Sequence, residues 1–284
     1  DKLLSEMPVA CKVNPRAGRE GEDAFQIRPA KTKRKIMVVG GGPAGMEAAR
    51  VVALRGHQVF LHEEKDRLGG QLLVASVPPY KSRLNHLVNY LVTQVTKSGV
   101  EVKLNSKVTA EIIEQTKPDI VILATGSSPL IPELSGVERS NVVTAWDVLT
   151  GKHVGDRVVI IGGGMVGCEV AEFLAGKGKK VTILEMLKGI AQDVGPISRW
   201  RLIQRLSEAG VRVEARTTAE EITEEGVLAS REGLSQMFTA DTIVLAVGMV
   251  SNTGLSQELQ GKVRVYLIGD SREPRKIGEA MEEG

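Results

Sequence analysis

The chain has 284 residues, 42% of them hydrophobic and 25% charged, with a formal net charge of +2, an ordinary globular composition and enough length for two domains. Both signs of charge are interspersed, so the balance points to neither nucleic acid nor a membrane surface, and no apolar run approaches the roughly 18 residues of a membrane span. Two cysteines, Cys11 and Cys168, exclude a disulfide framework and fit a reducing compartment. The opening DKLLSEMPVA lacks the basic head and apolar core of a secretion signal, so a cytoplasmic location is expected. A first residue that is Asp, and a last stretch, EPRKIGEAMEEG, that stops inside a helix-like pattern, suggest a piece of a longer polypeptide.

Residues 1–34 are polar, with scattered Pro, Gly, Lys and Arg, and read as an extended arm or linker. Regular structure is expected from Lys35, where the apolar run to Val39 resembles a buried parallel strand. It enters Gly40-Gly41-Gly42-Pro43-Ala44-Gly45, a helix from Met46 to Arg55, and a second strand, Val59–His62, that ends at Glu63. Between Lys81 and Ser98 the residues Leu84, Leu87, Val88, Leu91, Val92 and Val95 share one helical face. Val100–Leu104 alternates like a strand, and Asp119–Ala124 reads as a buried one opening into Thr125-Gly126.

The same pattern then recurs. Val158–Ile161 leads into Gly162-Gly163-Gly164-Met165-Val166-Gly167, a helix to Lys177, the strand Val181–Leu184, and Glu185. Gly40 to Glu63 and Gly162 to Glu185 match at every glycine and at the closing glutamate, as expected of one βαβ unit used twice. Ser198–Ala209, Val211–Val213 and Thr242–Ala246 complete the second copy, and alternating strands and helices imply parallel sheets.

A lone G-x-G-x-x-G is weak evidence; after a strand, before a helix and with an acid about 20 residues on, it is strong. In each copy the first glycine (Gly40, Gly162) permits a tight turn and the second (Gly42, Gly164) lets backbone approach a pyrophosphate. The third (Gly45, Gly167) lets helix and strand pack closely. Ala44, Met165 and Val166 belong to the same loops, whose free N–H groups and helix dipole favour a phosphate. Glu63 and Glu185 are placed to accept hydrogen bonds from ribose hydroxyls. A 2′-phosphate would be repelled by Glu185, and Met186-Leu187-Lys188 offers no Arg, which favours NADH over NADPH.

With this duplicated fingerprint the chain resembles the two-dinucleotide-binding flavoprotein oxidoreductases. Arg67-Leu68-Gly69-Gly70-Gln71 is similar to their flavin-side loop. Ala124-Thr125-Gly126 and Ala246-Val247-Gly248 are similar to their crossover signatures, and Tyr266-Leu267-Ile268-Gly269-Asp270 to their C-terminal FAD motif. The resemblance implies an α/β fold of two Rossmann-like domains, the NAD domain inserted in a discontinuous FAD domain. The FAD-binding domain is expected at residues 35–150 plus 250–284, and the NAD(H)-binding domain at 151–249. It further implies that Arg67, Gly70, Gln71, Ala124, Thr125, Gly126, Gly269 and Asp270 serve FAD and that Gly248 serves NAD.

A narrower resemblance lies in the arm. Cys11-Lys12-Val13-Asn14-Pro15-Arg16-Ala17-Gly18-Arg19-Glu20 is similar to the junction in the 2,4-dienoyl-CoA reductase, 2-enoate reductase and trimethylamine dehydrogenase (NADH:flavin oxidoreductase) family, over about residues 8–284. Lys81, after Pro78-Pro79-Tyr80, and Val108 match positions that touch the flavin nucleotide there. Glu185-Met186, Asp193-Val194-Gly195 and the stretch from Asp270 to Lys276 resemble the 2-enoate reductase branch. The family implies an upstream TIM-barrel domain carrying FMN, with arm 1–34 as the link, and a [4Fe–4S] cluster of which Cys11 would be the fourth ligand. On that reading NADH reduces FAD here, and electrons pass through the cluster to FMN, where an activated C=C bond of a small-molecule substrate is reduced.

No acid or base for the hydride step is identified by sequence, and self-association stays open. A nucleotide-binding module (ADP or FAD) without NADH activity, and a stand-alone NAD(P)H reductase of a carrier protein or quinone, are the alternatives. The absence of a CxxC pair argues against a disulfide reductase, and Cys168, beside Gly167, reads as a packing residue. His57, His62, His86 and His153 show no metal spacing. Lys31–Lys35 reads as a solvated linker, and Trp146 as a packing residue of a hinge or core.

Overall fold

The computed structural model describes residues 11–284; the first ten residues of the expected arm, and the start of the narrower resemblance, lie outside the described residues. The chain forms two compact units: one contains Ser82–Ser128 and Val250–Gly284 together with the described residues up to Ser76, the other Val77–Lys81 and Pro129–Met249.

The first unit is built on a five-stranded sheet in the order Arg264–Leu267, Ile120–Leu123, Lys35–Val39, Gln58–His62, Glu101–Lys103. All four pairings are parallel; the central strands Lys35–Val39 and Ile120–Leu123 are buried on both faces, and their near-continuous apolar runs follow from that. Successive residues of the central strand feed opposite cores. Ile36 and Val38 pack with Met46 and Ala49 of helix Pro43–Leu54 and with Leu87, Val88, Leu91 and Val95 of helix Leu84–Lys97. Met37 and Val39 pack on the other side with Val108, Ile113 and Leu259.

The second unit repeats the plan: Val142–Thr144, Thr242–Leu245, Arg157–Ile161, Lys180–Glu185, Arg212–Ala215, again all parallel. Its strand Val142–Thr144, followed by the short helix Ala145–Leu149 under a Thr144/Asp147 capping box, pairs with Ile243–Leu245. That pairing is why Pro129–Thr150 joins this unit in addition to the expected 151–249. One face carries helices Met165–Ala175 and Pro196–Glu208, with Val158, Ile160 and Ile183 against Val170, Leu174 and Leu206.

The other face carries an antiparallel sheet of Thr218–Ile222, Gly226–Arg231 and Leu234–Thr239, whose Val227, Ala229 and Phe238 cover Val159, Ile161 and Leu245. Its tight turn, Glu232-Gly233, has φ of +53° and +82°, the positive pair that a two-residue hairpin with the strand twist requires.

His62, at the carboxyl end of its strand, is 4% exposed. Its Nδ1 lies 2.9 Å from Ser106 Oγ, while Nε2 is buried and has no hydrogen-bond partner among the described residues. Burial, helped by the nearby Lys103 and opposed by Glu101, lowers the imidazole pKa from 6.5, so the folded state favours the neutral ring. The unfolded chain therefore takes up a proton first as pH falls, and stability is lost from about pH 6.5 down through the lower folded-state pKa. Thermal melts at stepped pH should show this loss in the wild type, and Asn or Leu at position 62 should flatten the His-dependent part of the profile.

Candidate functional site

Each loop is shaped by what its glycines leave out. Gly40 has φ +109°, and a Cβ on it would lie 2.2 Å from the carbonyl oxygen of Ala124. A Cβ on Gly45 would lie 1.9 Å from Gly40 O. Neither position can carry a side chain while the strand, turn and helix N-terminus stay in contact. Gly42 differs: a Cβ there meets nothing within 4 Å, although its φ of −73° suits any residue. The space above it is open beside the first turn of a twelve-residue helix with no side-chain cap, the setting in which backbone N–H groups receive a phosphate.

The second loop is a near copy. Gly162 has φ +105° with Ala246 O 2.4 Å from its hypothetical Cβ, and Gly167 meets Gly162 O at 2.0 Å. Around Gly164 the nearest atoms are the Asp193 carboxylate oxygens, at 3.9 Å. Asp193 accepts hydrogen bonds from Met165 N at 3.0 and 3.2 Å. Val166, next on the helix, is 46% exposed.

Both acids at the strand ends are buried, Glu63 at 6% exposure and Glu185 at 7%. Their partners correspond. Glu63 accepts from Gly41 N at 2.7 Å and Lys65 N at 2.9 Å; Glu185 accepts from Gly163 N and Leu187 N, both at 2.7 Å. Two oxygens offer about four acceptor directions, so each carboxylate is held rigidly and still has acceptor capacity for ribose hydroxyls. Met186 and Leu187, beyond Glu185, are 68% and 53% exposed.

In the first unit three separated stretches converge. Gln71 Nε2 donates to Ser127 Oγ at 2.9 Å, and Ser127 Oγ donates to Asp270 Oδ2 at 3.1 Å. The other Asp270 oxygen accepts from Arg275 N at 3.1 Å. Gly70, with φ +51°, sits so close to the first loop that a Cβ would lie 2.8 Å from Gly42 Cα. Thr125 and Asn252 exchange hydrogen bonds, Thr125 Oγ1 to Asn252 O at 2.8 Å and Asn252 Nδ2 to Thr125 O at 3.0 Å. Gly126 turns at φ +70° and Gly269 at φ +59°, the latter with Ala44 Cβ 2.8 Å from where its Cβ would stand. Ser127, the centre of this cluster, was not among the sequence candidates, though it directly follows Ala124-Thr125-Gly126.

Five candidates, Arg67, Val108, Lys81, Gly248 and Cys11, stand apart from this cluster. Arg67 is exposed, and Val108 spends its side chain on the core with Met37 and Val121. Lys81 lies in the unit of the second loop, where its Nζ pairs at 2.5 Å with Glu169, a helix residue two past Gly167 that sequence reasoning had not singled out. Burial raises the Glu169 pKa, and the hydrogen bond and charge of Lys81 oppose that rise. Gly248, at φ +121°, has open space around its Cβ position. Cys11 is exposed and accepts from Asn14 N at 3.4 Å. Cys168 is fully buried, its Sγ 3.4 Å from Gly163 O, and burial above all pushes its thiol up to about 12, which keeps it a protonated packing residue at neutral pH.

Among the described residues no group of three or more His, Cys, Asp or Glu side chains could hold a metal ion, and no helix is long and apolar enough to cross a membrane.

The sequence pattern of a family described as "Pyridine nucleotide-disulphide oxidoreductase" matches residues 34–284. The chain is 44% identical, over its whole length, to the NADH oxidase of Thermoanaerobacter brockii, of which it covers 44%. It is 39% identical, over 99% of its length, to the cinnamate reductase of Clostridium sporogenes, of which it covers 42%. A solved 2-naphthoyl-CoA reductase in complex with 2-naphthoyl-CoA superposes with a TM-score of 0.95 at 35% identity, over 99% of this chain and 43% of that one. The chain thus spans less than half the length of these relatives and corresponds to their C-terminal part.

The glycine geometry separates folding from binding. Gly45→Ala and Gly167→Ala force a methyl into a backbone carbonyl and should cost about 2–4 kcal/mol, read as lower denaturation midpoints. Gly42→Ala and Gly164→Ala should change the unfolding free energy by less than about 0.5 kcal/mol and leave the midpoints nearly unmoved.

Proposed function

The chain belongs to the pyridine nucleotide-disulphide oxidoreductase family, and from that premise we propose that it is an NAD(P)H-oxidising flavoprotein module, with FAD on the first loop and NADH on the second. The observation that carries this reading is that a Cβ at Gly42 or Gly164 meets no atom closer than 3.9 Å, at a helix N-terminus beside a buried glutamate locked to its own loop. The Gln71–Ser127–Asp270 cluster supports the assignment of FAD to the first loop, because it gathers acceptors and donors for a polyol chain in that unit.

Bound flavin supplies a two-electron acceptor and bound NADH the hydride. The protein's own part is binding and orientation. The loop amides and helix dipoles take the pyrophosphates, while Glu63 and Glu185 fix the riboses. Asp270 accepts hydrogen bonds and would orient the flavin chain. Glu185 also supports NADH over NADPH. Its carboxylate is held by two backbone N–H groups and cannot swing away cheaply from a 2′-phosphate, and Met186-Leu187-Lys188 offers no Arg, Lys188 being the one cation of that stretch able to pair with a phosphate. Cys168, buried and protonated, takes no part as a redox thiol.

The names of the relatives, NADH oxidase and cinnamate reductase, together with the share of their length that the chain covers, support a larger protein. In it electrons leave FAD through an iron–sulfur and FMN-bearing domain upstream, with Cys11 as a cluster ligand, to reduce an activated C=C bond of enoate or enoyl-CoA type. No protein acid or base is assigned to that step, and the residue protonating the substrate would lie upstream.

The test is anaerobic titration of the FAD-loaded protein. NADH should bleach the flavin band, and NADPH should do so more slowly by roughly tenfold or more, equivalent to about 1.4 kcal/mol. A bound flavin that neither nucleotide reduces would overturn the redox reading in favour of a nucleotide-binding module.

A further inference from the structure

The two loops are alike in their glycines, in their glutamates and in the strap that follows. Gly69 N donates to Gly41 O at 2.9 Å, and Ala191 N donates to Gly163 O at 2.6 Å, so the segments after Glu63 and Glu185 lie in the same register on their loops. In that register the eighth residue after Glu63 is Gln71 and the eighth after Glu185 is Asp193.

The two side chains do different things. Gln71 turns its amide to Ser127, and Gly42 is left with open space over its Cβ position. Asp193 turns its carboxylate onto the helix, accepting from Met165 N with both oxygens and edging the space over Gly164. Met165 is the first residue of an eleven-residue helix, and its amide is one of the donors that a dinucleotide pyrophosphate uses at such a loop.

We propose that Asp193 is an internal competitor for the pyrophosphate of the nicotinamide dinucleotide: its carboxylate holds the amide that the phosphate must take over, and so sets the affinity of the second loop. The inference rests on the NAD(H) reading of that loop. Two anions cannot share one helix N-terminus without repulsion, and the carboxylate there is itself stabilised by the N–H and the dipole. Asp193 is exposed, and the bond of Ala191 N to Gly163 O is made by backbone alone, so it does not depend on the position of the Asp193 carboxylate. Displacement therefore needs no change of register. The first loop has Pro43, which carries no N–H, where the second has Met165, and the neutral Gln71 in the place of Asp193, so no carboxylate caps its helix and it is suited to a cofactor that stays. The second is suited to a nucleotide that arrives and leaves at each turnover.

The test is calorimetric titration of the FAD-loaded protein with ADP-ribose, which carries the pyrophosphate but no hydride, and with adenosine, which carries neither. Asp193→Asn keeps an acceptor for Met165 N and removes the charge; Asp193→Ser keeps a short capping oxygen and secures the result should the Asn variant fold poorly. ADP-ribose should bind both variants roughly five- to tenfold more tightly than wild type, with adenosine unchanged. Unchanged or weaker ADP-ribose binding in the variants, with wild type binding normally, would overturn the competition while leaving the NAD(H) reading standing. Equal tightening for adenosine would overturn it too, since charge on the phosphate would not be the cause. Failure of wild type and variants alike to bind ADP-ribose would overturn the reading of the second loop itself, and the competition with it.

Discussion

Everything in this molecule hangs on a backbone-to-backbone approach that no side chain tolerates. At Gly40 the strand of the first unit turns against the carbonyl of Ala124, and at Gly45 the helix returns onto the carbonyl of Gly40 itself. Gly162 and Gly167 do the same against Ala246 and Gly162. Two close approaches per loop fix the helix N-terminus over the carboxyl end of the sheet, at the crevice where open α/β sheets receive ligands. The ladder of parallel strands, the helices that cover it and the buried glutamates follow from that placement, since each glutamate is held by an amide of the loop it serves.

The duplication shows which features are structural and which are adapted to a ligand. Glycines, strap and glutamate are kept in both copies, as the folding of the unit requires. The differences lie around the middle glycine and at the strand ends. Gln71, Ser127 and Asp270 are tied together in one copy; Asp193 caps the helix in the other, and Glu169 draws Lys81 into that unit. The outer layer differs as well, because a helical and loop cover on the first sheet is replaced by three antiparallel strands on the second.

Much of this was legible in the sequence for a physical reason. Parallel strands buried on both faces must be continuously apolar, and a G-x-G-x-x-G loop admits few alternatives, so the sheets, both loops and both glutamates are visible as text. The strands Thr218–Ile222 and Leu234–Thr239 were not, because one face is solvated: Leu234 is 77% exposed while Phe238 is buried, and a mixed pattern of that kind is weak over five or six residues. The strand Val142–Thr144, which completes the second sheet, is only three residues long, too short for a pattern to be read from the residues. Ser127 and Glu169 were hidden for another reason: each works through a partner distant in sequence, and pairing of that kind has no local pattern. Asp193 could be quoted as part of a family-like stretch, but its contact with Met165 is visible only in the fold.

The central claim is that one scaffold used twice holds two different dinucleotides, FAD over Gly42 and NADH over Gly164. The most direct measurement is of ligand partition in Gly42→Ala and Gly164→Ala, with flavin content and ADP-ribose affinity determined on each. The account predicts a crossed result: Gly42→Ala loses flavin and keeps ADP-ribose binding, while Gly164→Ala keeps flavin and loses ADP-ribose. Parallel loss of both ligands in either variant, or retention of both in each, would contradict it.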